Sequence, residues 1–184
     1  MPLAQGEKKK LTFQDYLGWP EDERWEIIDG KAYNMTPAPS TLHQRILIRL
    51  VGFLEKALHS TPCTVFIAPT DVVLSEEDVV QPDLLIVCDE QKISQSNILG
   101  SPDLIIEITS PASVRKDRRE KKALYEQFGV KEYIIIDPEG KFAEQFILGN
   151  KNRYGVGKIF SSEEDLSLSI LSEISIPLRE VFPT

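Results

Sequence analysis

Apolar residues along this chain follow two periods. Between residues 41 and 59, Leu42, Ile46, Leu50, Leu54 and Leu58 recur every four positions, and Leu47, Val51 and Ala57 widen the stripe, which predicts a helix lying against a sheet. Its entry, Thr36-Pro37-Ala38-Pro39-Ser40, is a rigid connection ending in an N-cap residue. From Pro62 onward the pattern becomes strand-like, over 63–68, 71–74, 79–87, 102–109, 133–137, 142–148, 156–160 and 166–171. The clear alternation in 142–148 places it towards a sheet edge. Residues 25–35 read as a hairpin turning at Asp29-Gly30. Thr12-Phe13-Gln14-Asp15 resembles a capping box and opens a short helix over 13–17. Residues 89–99 predict a polar loop with a short helix, 117–127 a helix stopped by Gly129, and 177–182 a last helical turn. Nothing repeats and no linker interrupts the chain, so one domain over 1–184 is expected, with 1–10 a loose start.

Two runs break the pattern. The stretch 102–109 is almost unbroken apolar sequence, as in a strand covered on both faces, yet it contains Glu107. An unpaired carboxylate is costly there, so a cation must face it. Asp83 follows Pro82, which cannot donate to a sheet ladder and marks a strand entry, bulge or edge. The sequence between the two acids is long enough to bring them side by side on neighbouring strands. Asp103 shares Glu107's strand face but lies about 13 Å away, too far to share one small cation, and reads as a strand start. Lys121, Leu124 and Phe128 share one helix face, which turns Lys121 towards the acids, beside Tyr125; the competing reading is a surface lysine paired with Asp117. Lys116, Arg118 and Arg119 read as an exposed basic rim, and His43 as a partly exposed residue that helps its helix start, the competing reading being a site role near the N-terminus of that helix.

Two carboxylates and a lysine in this order are the parts of a Mg²⁺- or Mn²⁺-dependent phosphodiesterase. Hard oxygen ligands hold the cation, the cation lowers the pKa of a bound water, and the ammonium positions that water and offsets developing charge. A net charge of -8 argues against gripping nucleic acid by broad phosphate neutralisation, and leaves local, metal-assisted contact. No apolar run approaches the roughly 18 residues that span a bilayer, and Lys8-Lys9-Lys10 leads into no apolar stretch, so a cytoplasmic protein without membrane contact is expected. Cys63 and Cys88 lack metal-type spacing and read as reduced core thiols.

Pro82-Asp83 followed by Glu107-Ile108-Thr109 resembles the PD-(D/E)XK signature of the restriction-endonuclease-like superfamily, with threonine where that motif has lysine. Nearly the whole chain also resembles its Uma-type endonuclease family. The similarity runs through Trp25-Glu26-Ile27-Ile28-Asp29-Gly30-Lys31, His43-Gln44, Pro82-Asp83-Leu84 and Glu107 to Ser113. It continues through Asp117 with Lys121 and Tyr125, and Gly129 to Pro138. The resemblance implies an α/β restriction-endonuclease-like core, a central mixed β-sheet flanked by helices. It implies Asp83 and Glu107 as metal ligands with the Ile108 carbonyl as a third, a migrated catalytic lysine at Lys121, and Glu26 as a further acid, holding a second metal or Lys121. DNA is the substrate it implies, and two-strand cleavage would favour a homodimer. The other readings are a catalytically idle nuclease-fold module that binds nucleic acid or assembles with a partner, and a globular domain in which Glu107 and Lys121 form only a buried salt bridge.

Overall fold

The computed structural model describes residues 9–20, 22–35 and 38–183. Most of the expected loose start, with Thr36 and Pro37 of the connection before the long helix, lies outside the described residues.

The capping box at Thr12 and Asp15 opens α1 (Phe13–Tyr16). A hairpin follows, β1 (Trp25–Ile28) and β2 (Lys31–Asn34), with Asp29 and Gly30 both at positive φ in its turn. The long helix is α2 (Thr41–Leu58), and the Ser40 side chain accepts from the His43 amide at its start. Then come β3 (Thr64–Ile67), β4 (Asp71–Ser75), β5 (Asp78–Val80), β6 (Leu84–Val87), β7 (Asn97–Leu99) and β8 (Leu104–Ile108). The helix after β8 starts earlier than expected, as α3 (Val114–Lys116), passes through a π-helical turn at Asp117–Lys121, and ends as α4 (Lys122–Gln127). The chain closes with β9 (Glu132–Asp137), β10 (Phe142–Ile147), β11 (Lys158–Ser161), β12 (Asp165–Ser167), β13 (Ser175–Pro177) and α5 (Leu178–Val181).

The architecture is α/β. A six-stranded mixed sheet runs β11-β10-β9-β8-β6-β3, with β8 and β9 parallel and its other neighbours antiparallel. A five-stranded sheet runs β2-β1-β5-β4-β7, and β12 with β13 forms a separate ribbon. The period of two along β8 divides its residues between two cores. Leu104, Ile106 and Ile108 join the α2 stripe of Ile46, Leu47, Leu50 and Leu54. Ile105 joins Leu124, Tyr125, Tyr133 and Ile28 on the other face. Glu107 therefore faces the second core, under the helix that carries Lys121. Burying each of Ile46, Leu50 and Leu54 completely contributes about 2 kcal/mol towards pinning α2 to the sheet.

Several expectations change. The expected strand over 79–87 is two strands in two sheets, β5 and β6, separated by Gln81-Pro82-Asp83. Proline there breaks the ladder, so Asp83 stands at the corner where the chain changes sheets. The loop over 89–99 contains β7, which pairs parallel with β4. β10 lies towards one edge as expected, next to the edge strand β11, and its polar positions are satisfied: Glu144 meets Arg118, and Gln145 donates to Glu132. The expected outer strand over 166–171 shrinks to β12 in the ribbon. Cys63 and Cys88, expected as free thiols, form a disulfide. The antiparallel pairing of Thr64 with Val87 puts the next residues of each strand, the two cysteines, opposite one another.

Candidate metal and phosphodiester site

The corner before β6, the end of β8, strand β1 and the π-helical turn converge on one buried cluster of charge. The Ile108 amide donates to Asp83 Oδ2 at 2.8 Å, and the Asp83 amide approaches Glu107 Oε2 at 3.4 Å. The two acids thus meet through each other's backbone across the β6–β8 pair. The other oxygen of Glu107, Oε1, takes the Lys121 ammonium at 2.8 Å and the Tyr125 hydroxyl at 2.8 Å. Lys121 also lies 2.7 Å from Glu26 Oε1, and Lys116 2.7 Å from Glu26 Oε2. The Gln81 amide donates to Glu26 as well. All five residues expected at the site, Glu26, Asp83, Glu107, Ile108 and Lys121, are brought together.

The π-helical turn explains the helix's share. An i→i+5 turn is wider than an α turn, and here it buries both Asp117 and Lys121, each 2% exposed. The Tyr133 hydroxyl holds the Asp117 carbonyl, and the Tyr133 ring stands edge-on to Tyr125.

Three further residues join the site. Lys116, expected on an exposed rim, reaches Glu26 and lies over the Tyr33 ring; no local signal marks a partner ninety positions away. Asp117 is a further acid of the cluster and is buried, and its spacing to Lys121, Leu124 and Phe128 already placed it on their face. His43, expected at least partly exposed, is buried, with Nε2 3.0 Å from Asp83 Oδ2. Its spacing to Ile46, Leu47 and Leu50 follows the buried stripe and was the available signal.

Four carboxylates, Glu26, Asp83, Glu107 and Asp117, face the ammonium groups of Lys116 and Lys121, an excess of two negative charges when all are ionised. The consequence falls on Glu107. Burial, with the charges of Asp117, Asp83 and Glu26, pushes its carboxyl up to about 8 against the pull of Lys121. Burial likewise raises Asp117. Glu26 is equally buried, but Lys121 and Lys116 together outweigh that and hold its carboxyl low. Burial alone would lower Lys121; Glu107, Glu26 and Asp117 reverse this and keep it protonated.

Among the described residues no three His, Cys, Asp or Glu side chains form a ready-made metal cage. The donor set suits a hard cation that binds one or two carboxylates and keeps waters for substrate oxygens. Among the described residues, Asp83 Oδ1 takes no hydrogen bond, Glu107 Oε2 takes only the long contact from the Asp83 amide, and four acids share two ammonium groups. The surface hollow lined by Phe53, Ala57, Leu171 and Ile174 has a single acid, Glu173, and none of this chemistry. No helix among the described residues is long and apolar enough to cross a membrane.

The Uma2 family, described as putative restriction endonuclease, matches residues 13–179. An uncharacterized protein of Synechocystis sp., slr1290, is 28% identical over 119 residues, which are 63% of this chain and 62% of that protein. The chain therefore matches less than two thirds of that relative's length. A crystal structure of a putative nuclease belonging to DUF820, from Anabaena variabilis, superposes with a TM-score of 0.77 at 18% identity, over 94% of this chain and 97% of that one. At that identity the likeness shows the fold.

Proposed function

The chain belongs to the Uma2 family of nuclease-like proteins, and on that premise we propose that it is a divalent-metal-dependent endonuclease hydrolysing phosphodiester bonds in DNA. The observation that carries this reading is the meeting of Asp83 and Glu107 across two strands, inside a cluster where four acids share two ammonium groups. Asp83, Glu107 and the Ile108 carbonyl would hold Mg²⁺ or Mn²⁺. When bound, the cation supplies a water of lowered pKa and a Lewis acid for the phosphate.

The remaining chemistry belongs to the side chains. Lys121 is enclosed by Glu26 and Glu107 and only 2% exposed, so it acts through Glu107 rather than on a solvent water. It fixes Oε1, leaves Oε2 turned towards Asp83, and places a positive charge behind the scissile phosphate. Tyr125 fixes the same oxygen from a second direction. Glu26 holds Lys121 and Lys116 and completes the frame.

Supercoiled plasmid incubated with Mn²⁺ tests the proposal. Wild-type protein nicks it, EDTA stops the reaction, and Asp83→Ala and Glu107→Ala each abolish it. Nicking that persists undiminished in both variants overturns the assignment. A wild-type chain that binds DNA without cutting it supports the idle nuclease-fold module instead, a reading favoured by how fully Lys121 and Tyr125 already satisfy Glu107.

A further inference from the structure

We propose that His43 is a positioning residue of this site, fixing the Asp83 carboxylate so that one oxygen stays open to the cation. The inference rests on the metal-dependent reading above and assigns a role to a residue of α2, an element that otherwise supplies only packing.

The geometry begins at the helix start. Ser40 caps α2, and side chains in a first turn lean back towards the helix N-terminus. The buried stripe of Ile46, Leu47 and Leu50 fixes the rotation of α2, and so delivers His43 to the strand ends where Asp83 turns into β6. There the Nε2 atom lies 3.0 Å from Asp83 Oδ2, the oxygen that also receives the Ile108 amide at 2.8 Å. A carboxylate oxygen offers two lone pairs, and on Oδ2 both are faced by nitrogen. A cation is left with Oδ1.

Burial argues that this contact is why the ring is there. His43 is 8% exposed, and its Nδ1 is buried with no hydrogen-bond partner among the described residues. A leucine would continue the stripe without burying a bare ring nitrogen, so packing alone favours a different residue. A histidine needed only to start the helix would not have to be buried, because Ser40 already performs the capping. What remains is the one polar contact the ring makes among the described residues, at Asp83. Groups that orient a ligating carboxylate or imidazole typically change metal affinity 10–100-fold when removed.

Isothermal titration of Mn²⁺ into the full chain, without DNA, tests this. His43→Leu fills the buried stripe and removes the nitrogen; its dissociation constant is expected to rise about 10–100-fold. His43→Gln places an amide N–H at similar reach and is expected to return affinity close to wild type, which a purely structural residue would not require. Urea denaturation in EDTA accompanies each variant and separates loss of fold from loss of affinity. Unchanged affinity in His43→Leu overturns the inference. So does a Gln variant as weak as the Leu variant while equally stable, since the imidazole would then be binding the cation itself. Wild-type binding abolished by Asp83→Ala but untouched by His43→Leu removes this inference alone, whereas no Mn²⁺ binding by the wild type removes the proposed function with it.

Discussion

Glu107 is where the physical conflict of the site is concentrated. Its carboxyl is fully buried beside three other acids and one ammonium, which pushes it up to about 8. In the metal-free fold below that value it carries a proton that an unfolded chain would release at its ordinary 4.5. The folded pKa is raised, so Glu107's contribution to stability is complete below its unfolded value and is lost as pH rises towards 8. A ligating cation must displace the same proton, so affinity runs the opposite way and tightens with pH. Mn²⁺ affinity is expected to rise about tenfold per pH unit between pH 6 and 8, as one displaced proton requires, and then to level off. Calorimetry in buffers of different ionisation enthalpy reads the released proton directly. Equal affinity at pH 6 and pH 8 would contradict this account of Glu107.

Among the elements, the helical stretch 114–127 buries as many charged side chains as apolar ones. Its buried side chains are Asp117, Lys121, Leu124 and Tyr125, and α3 buries none. Its seat on the sheet therefore depends on ion pairs to Glu26 and Glu107 as much as on packing. Lys121→Met keeps the volume but leaves both acids without their shared cation, and is expected to cost about 3–5 kcal/mol in urea denaturation. Amide hydrogens of 114–127 should exchange faster in that variant than those of α2; unaltered exchange there would mean that packing holds the helix. This helix also separates what the sequence revealed from what it concealed. Glu107 and Lys121 were legible because each violates a local apolar pattern, in a strand run and on a helix face respectively. Asp83 was legible through Pro82, although the same proline was not recognised as the break that sends 79–87 into two sheets. Lys116 with Glu26, Gln145 with Glu132 and Cys63 with Cys88 are pairings set by the completed topology, and no periodicity in one segment encodes a partner in another. The alternation in 142–148 placed β10 towards an edge, where it lies beside β11, but did not disclose the buried hydrogen bond from Gln145 to Glu132.

At the scale of the whole molecule, charge decides what can approach the site. A chain of net charge -8 repels a polyanion, but at physiological salt the screening length is only about 8 Å, so what a phosphate meets at the site is decided by the groups around it. Around this site stand four carboxylates, with exposed Arg115 and Arg119 on the adjoining helix. Without a divalent ion the open oxygens of Asp83 and Glu107 offer a phosphate no attraction; a cation that displaces the Glu107 proton brings open positions that can take phosphate oxygens. DNA binding should therefore be conditional on the cation. Fluorescence anisotropy of a short labelled duplex at about 0.15 M salt is expected to show no binding in EDTA and clear binding with Ca²⁺, which seeks the same oxygen ligands. Asp83→Ala should lose the cation-dependent part, and raising the salt should weaken what remains in the wild type. Equal binding with and without the ion would place the DNA contact elsewhere on the surface, and would leave the open oxygens of Asp83 and Glu107 without a connection to nucleic acid.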